Sequence, residues 1–289
     1  MRILIATRGS SDNENLFRFG ALIARRAAQP PTLLIVIEPK AGCPASQIDG
    51  LVTAICEPLQ AHVQNLRTEV RVGRFAEEIL CEARAQTYDL LIVAGDGQGH
   101  PVRHWLPGST AVSIAERAPC SVAVVKGKTG TIRRILLCDS GASGPAAAPP
   151  VPVLPQPCSV SERFAQRLVD LLGRDGEVTV LHVMSQIGAG PGVRGKQLRA
   201  SAGELIGDHT PEGELLARDV QLLERSGIHS RAEVRHGLVV DEILAEARSG
   251  DYDLVVIGAP AETGWRRLLL DDLARKILVQ IDRPVLIAR

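Results

Sequence analysis

Residues 69–90 and 233–254 align without a gap and match at 13 of 22 positions, where unrelated segments would share roughly one or two. The chain is a tandem duplication, so whatever one half folds into, the other must be able to fold into as well. Each copy reads Glu-Val-Arg-x-Gly, then Glu-Ile-Leu-x-Glu-Ala-Arg, then Tyr-Asp-Leu running into an apolar stretch. The repeated unit therefore contains a strand, a helix and a second strand, and the copies can be compared for what each retained.

The order of elements extends this pattern over both halves. In the first, Arg2–Thr7 reads as a strand, and Leu16, Phe17, Phe19, Gly20, Ile23, Ala24 and Ala27 recur at helical spacing. Thr32–Ile37 is a short apolar run suited to a strand covered on both faces. A helix near 48–66, a strand over 68–72, a helix presenting Phe75, Ala76, Ile79, Leu80 and Ala83, a strand over 90–94, a helix from Ser109 and a strand over 121–125 follow. The second half repeats the series with strands at 134–138, 178–183, 231–235, 254–258 and 284–288 and helices over 161–172, 212–226, 239–248 and from Asp272. Strands alternating with helices require right-handed crossovers and parallel sheets covered on both faces. The fold class expected is α/β, as two tandem five-stranded parallel sheets. The halves run over 1–127 and 132–289, joined by a short linker. Two segments depart from the pattern: 144–157, with six prolines, reads as an extended insertion or a lid, and 185–210 as Gly-rich and partly disordered.

A length of 289 residues suits about two domains. A formal net charge of zero argues against a nucleic-acid or anionic-membrane partner. The apolar runs fall far short of the roughly 20 residues of a membrane helix. The first strand leaves no room for a signal peptide, so the expected location is cytoplasmic. Cys43, Cys56, Cys81, Cys120, Cys138 and Cys158 show no Cys-x-x-Cys spacing and read as buried free thiols. His100 and His104 are four apart, but Pro101 and the surrounding glycines argue for a loop, and no third metal ligand is evident.

Taken in order, Ile-Leu-Ile-Ala-Thr-Arg-Gly-Ser at 3–10, Ile-Leu-Leu-Cys-Asp-Ser-Gly at 135–141, Leu-His-Val at 181–183, the two Tyr-Asp-Leu strands, Gly-Ser at 108–109, Ala-Pro-Cys-Ser-Val-Ala-Val-Val at 118–125 and Arg-Pro-Val-Leu-Ile at 283–287 resemble the universal stress protein family, in its tandem two-domain form. The resemblance implies strand order 3-2-1-4-5 in each half and association through the last strand. Here it implies an intramolecular pseudo-dimer through Val122–Val125 and Val285–Ala288, since an apolar edge strand needs a partner. A homodimer and further protein partners stay open.

ATP-binding members resemble a pattern Gly-x2-Gly-x9-Gly-Ser/Thr after the fourth strand, with an acid at the end of the first. Backbone N–H groups and a helix N-terminus then meet the phosphates. In the first half Ala94 and Gly97 take the first two glycine positions, Gly108 and Ser109 lie one residue too far along, and Arg8 replaces the acid. Thr7, Gly95, Gly97, Gly99, Gly108 and Ser109 are the nucleotide-binding candidates, with ATP as the cofactor of this half. Ser109 also reads as a plain helix N-cap, and the glycines as a tight turn. The second half keeps Asp139 and Gly258 but has Ala261 and Asp271-Asp272 where the pattern asks for glycine and Gly-Ser. A carboxylate about 4 Å from a phosphate charge costs on the order of 4 kcal/mol near a protein surface, which should end binding there. Trp105 and Trp265 read as packing over the strand ends or as platforms for a base. No catalytic residues are assigned. The function expected is a non-enzymatic stress-response protein acting through protein interaction, with weak ATP binding in the first half. A ligand-free interaction module is the alternative, and a nucleotide-hydrolysing enzyme ranks last.

Overall fold

Ile3 to Thr7 are buried without interruption in the first strand, Ile3–Arg8 (β1), which is the pattern of a strand with neighbours on both sides and helices on both faces. In this computed structural model the chain is described at residues 1–8, 14–38, 45–61, 63, 65–95, 110–127, 129–138, 171–172, 176–184, 199–258 and 272–289, with backbone only at 45–49, 51, 58 and 272. After β1 come α1 (Glu14–Ala24), β2 (Thr32–Ile37), α2 (Ala45–Gln60), β3 (Arg67–Val72), α3 (Phe75–Ala85), β4 (Leu90–Ala94), α4 (Thr110–Arg117) and β5 (Ser121–Val125). The second half has β6 (Arg134–Cys138), β7 (Glu177–Met184), α5 (Ala202–Gly207), α6 (Pro211–Arg225), β8 (His229–His236), α7 (Val239–Ser249), β9 (Leu254–Gly258), α8 (Asp272–Gln280) and β10 (Val285–Ala288).

The strands form one ten-stranded sheet in the order β3-β2-β1-β4-β5-β10-β9-β6-β7-β8. Within each half all pairings are parallel, and each half follows 3-2-1-4-5. The expectation of two separate five-stranded sheets is overturned. β5 and β10 pair antiparallel, Val124 opposite Val285 and Val122 opposite Ile287. The edges that would have closed two sheets instead satisfy each other's backbone hydrogen bonds. The apolar layers follow suit. One runs beneath α1, α2 and α6 and the other beneath α3, α4, α7 and α8, and each holds residues of both halves.

Side chains lock the joint from both directions. Lys126, just past β5, donates through Nζ to the carbonyl of Leu278 and, at 3.4 Å, to those of Val279 and Ile281 at the end of α8. Arg289, just past β10, donates to the carbonyls of Ala115 at 2.6 Å and Glu116 at 3.1 Å at the end of α4. Each half thus supplies a cation to the unsatisfied carbonyls and negative dipole end of the other half's last helix. Arg275 and Glu116 add a 2.6 Å ion pair between the same two helices. Gly127, at φ +61°, faces the carbonyl oxygen of Asp282 where a Cβ would collide.

Two details go beyond or against the sequence reading besides the sheet. Within 185–210, read as Gly-rich and partly disordered, residues 202–207 form a helix that the spacing did not name, α5. Its start is a capping box in which Ser201 and Glu204 exchange side-chain and backbone hydrogen bonds. Cys56, Cys120 and Cys138 are buried free thiols, but Cys81 is exposed, because it lies opposite the buried Ile79, Leu80 and Ala83 on α3. Cys43, Cys158, the 144–157 insertion and most of the expected 161–172 helix lie outside the described residues. Among the described residues no helix is long and apolar enough to cross a membrane.

The repeated ionisable residues are bound to one another. Tyr88 Oη donates to Glu82 Oε1 at 2.8 Å, and Tyr252 Oη to Glu246 Oε1 at 2.6 Å. Arg71 pairs with the other oxygen of Glu82, and Arg235 with that of Glu246 at 2.6 Å. Glu78 and Glu242 stand 3.7 and 3.5 Å from the same guanidinium groups. Asp89 accepts the N–H of Arg2 at 2.7 Å, and Asp253 those of Arg133 and Arg134 at 2.8 and 2.9 Å. Each Tyr-Asp pair therefore ties the entry of its fourth strand to its third helix and to the start of its first strand. Burial alone would loosen the protons of Arg71 and Arg235. Their acceptors, Cys81 and Glu82 for one and Glu246 and Glu242 for the other, outweigh it and hold both above the ordinary arginine value. Burial first, reinforced by the adjoining carboxylate, pushes the Tyr88 and Tyr252 phenols up to about 12.

Removing either phenol strands part of a buried carboxylate, so Tyr88→Phe and Tyr252→Phe should each cost about 1–3 kcal/mol in urea unfolding. An unchanged midpoint in both would contradict the network. The pH dependence has a fixed sign. Below about pH 10 folded and unfolded chains both keep the phenolic protons, and the stabilisation is complete. Between about 10 and about 12 the unfolded chain releases protons that the folded chain retains, so stability falls. In that window each Tyr→Phe replacement should remove close to one proton from the slope of unfolding free energy against pH; an unaltered slope would mean the phenols titrate normally.

Candidate functional site

In a parallel sheet of this order, ligands enter beyond the carboxyl ends of the strands where β1 and β4 part. In the first half that mouth is formed by the ends of β1, β2 and β4 and the start of α4. Thr7 is buried there, and its hydroxyl donates to the carbonyl of Arg8 at 2.9 Å. Arg8 emerges half-exposed. Its guanidinium lies 4.5 Å from the centroid of the Phe75 ring, donates to Thr110 Oγ1 at 3.0 Å and stands 3.9 Å from Glu38. A cation stacked on a ring thus stands at the lip of this mouth, beside the first residue of α4, with part of its charge answered by Glu38.

Gly95 follows β4. Its N–H donates to the carbonyl of Val125 at 2.7 Å, and a Cβ on it would meet Lys126 Cγ at 2.5 Å. Its lack of a side chain is thus required by the lysine that caps α8. Gly97, Gly99, Gly108 and Ser109 lie outside the described residues, as do His100, His104 and Trp105. Of the six nucleotide candidates, Thr7 and Gly95 are placed, and both stand at the carboxyl ends of adjacent strands.

The second mouth has Gly258 at the end of β9, half-buried; Asp139, Ala261, Trp265 and Asp271 lie outside the described residues. The antiparallel joint settles the relation of the mouths. Strands of the first half all run with β5 and those of the second with β10, so their carboxyl ends point in opposite directions along the strands. Among the described residues no single pocket draws on both.

Sequence spacing missed the surroundings of Arg8 and the role of Lys126. Phe75, Thr110 and Glu38 come from three separate elements, and no local pattern announces their meeting. The Arg71–Glu82–Tyr88 set did leave a signal, since its separations of 11 and 6 recur unchanged in Arg235–Glu246–Tyr252.

Comparison with known proteins follows the geometry. The model of the universal stress protein family matches residues 1–126 and 153–289. A universal stress protein of Methanocaldococcus jannaschii is 29% identical over 76 residues, which are 26% of this chain and 45% of that relative, so the match spans less than half of the relative's length. A solved universal stress protein of Archaeoglobus fulgidus superposes with a TM-score of 0.62 at 15% identity, covering 100% of this chain and 96% of the other. A chain from Pseudomonas aeruginosa assigned to the same group gives 0.66 at 17% identity, covering 99% and 92%. At such identities the structural likeness concerns the fold alone. With the family model spanning well over half of it, the chain belongs to the universal stress protein family and carries two such segments in tandem.

Proposed function

We propose that this protein is a non-enzymatic stress-response protein that acts by binding other proteins, with weak ATP binding confined to its first half. The supporting observation is where the duplication kept its ionisable residues. Tyr88, Asp89, Tyr252 and Asp253 stand at the amino ends of the fourth strands, bonded to Glu82, Glu246 and the starts of the first strands. What both halves retain thus binds within the scaffold, from Tyr88 and Tyr252 at the amino ends of the fourth strands to Arg71 and Arg235 near the carboxyl ends of the third. The loops at the mouths have diverged in sequence: Gly108-Ser109 in the first half, Asp271-Asp272 in the second. For the nucleotide, Arg8 with the start of α4 offers positive potential to a polyphosphate.

Gly95 favours the second reading, a ligand-free interaction module, because its N–H is already donated to Val125. Calorimetric titration of the intact protein with ATP separates the two. Binding in the millimolar range with one site per chain is expected, and Arg8→Glu, which reverses a charge at the lip, should weaken it roughly tenfold or more. Heat no greater than dilution would contradict the nucleotide reading and leave the module.

A further inference from the structure

The two outer edges of the sheet are β3 and β8, and they are treated differently. On β8, Ala232 and Val234 pack against the core layer, α5 and α6 lie against the strand, and His236 Nε2 meets the carbonyl of Ala200 at 3.0 Å. On β3 the corresponding residues stay open: Val70 is 41% and Val72 60% exposed. They stand in register with Ile35 and Ile37 of β2 and so extend its apolar face to the rim.

The backbone of β3 has a definite polarity. The N–H groups of Arg67 and Gly73 donate inward to Pro31 and Ile37. By the alternation of a strand, Glu69 and Arg71 also face β2, which leaves Thr68, Val70 and Val72 directing N–H and C=O outward. A second β3 laid antiparallel with its two-fold axis at Val70 meets these groups one for one. Val70 then forms a hydrogen-bonded pair with Val70 of the second copy, and Thr68 with Val72 on either side. Between them Glu69 falls opposite Arg71 of the other strand, twice by symmetry. The sequence Thr-Glu-Val-Arg-Val is thus self-complementary in charge and in apolar contact about its central valine. The molecule already joins two edges in this manner, at β5 and β10.

We propose that β3 is a homotypic docking edge, through which two copies of this chain associate antiparallel about Val70 and continue the sheet from one molecule into the next. The inference goes beyond the proposed function and does not depend on nucleotide. Such an interface is isologous and closes on itself as a dimer. One short strand pair with its flanking side chains is small, so the association is reversible and concentration-dependent.

Sedimentation velocity over a rising concentration series tests this, with residue-resolved amide hydrogen exchange at both ends of the series. The wild-type chain should shift from monomer to dimer, and the amides of Thr68, Val70 and Val72 should slow as it does. Val70→Lys sets two ammonium groups together on the axis, and Glu69→Lys faces Arg71 of the other copy. Each should weaken association roughly tenfold or more. Both positions are exposed, so unchanged circular dichroism and thermal midpoint verify the fold. Leu238→Lys replaces an exposed apolar residue away from β3 and should leave the dimer intact. A wild-type chain that stays monomeric throughout, a dimer that survives Val70→Lys, or an equal loss in Leu238→Lys would each overturn the proposal.

Discussion

The antiparallel contact between β5 and β10 is the constraint on which the rest depends. Both strands are buried throughout and, Ser121 apart, apolar, and a parallel half-sheet ending in either would expose a hydrophobic rim with unmet backbone groups. Pairing them removes both rims at once. It also lets the two core layers pass unbroken from one half to the other. Lys126 and Arg289, one residue beyond each strand, carry the joint into the helices by capping α8 and α4 across it. Gly127 follows from the same contact, since the carbonyl of Asp282 occupies the space a side chain would need.

The joint shapes function through direction. Because it is antiparallel, the carboxyl ends of the two halves point in opposite directions, and each mouth works with its own residues. Duplication then left the mouths free to diverge while the scaffold stayed fixed. Arg8, stacked on Phe75 and bonded to Thr110, gives the first mouth its character. Gly95 lies between these demands, its backbone tied to Val125 and its missing side chain making way for Lys126.

The repeat made much of the fold legible. Thirteen identities in one aligned segment mark a strand, a helix and a strand that must recur, and the buried faces of α1, α3 and α7 follow the helical spacing of their apolar residues. α5 escaped notice because a Gly-rich composition outweighed a four-residue capping signal at Ser201 and Glu204. The apolar last strands Val122–Val125 and Val285–Ala288 named each other as partners in the sequence; counting two sheets failed because local pattern does not say that such a pairing is hydrogen-bonded strand to strand and so makes one sheet of both halves. At the mouth, Thr7 and Gly95 could be named from strand ends alone. The neighbours of Arg8 could not, because a ring, a hydroxyl and a carboxylate from three elements share no spacing in the chain.

Cutting the chain once within the 127–131 connection of the folded protein, with a site-specific protease, tests the central claim most directly. If the β5–β10 joint and its crossed caps hold the halves together, the two fragments will co-migrate as one particle of unchanged mass in native mass spectrometry, and Ala123→Lys at the centre of the joint will release them. Separation of the wild-type fragments on cleavage alone, with each half still folded, would contradict it.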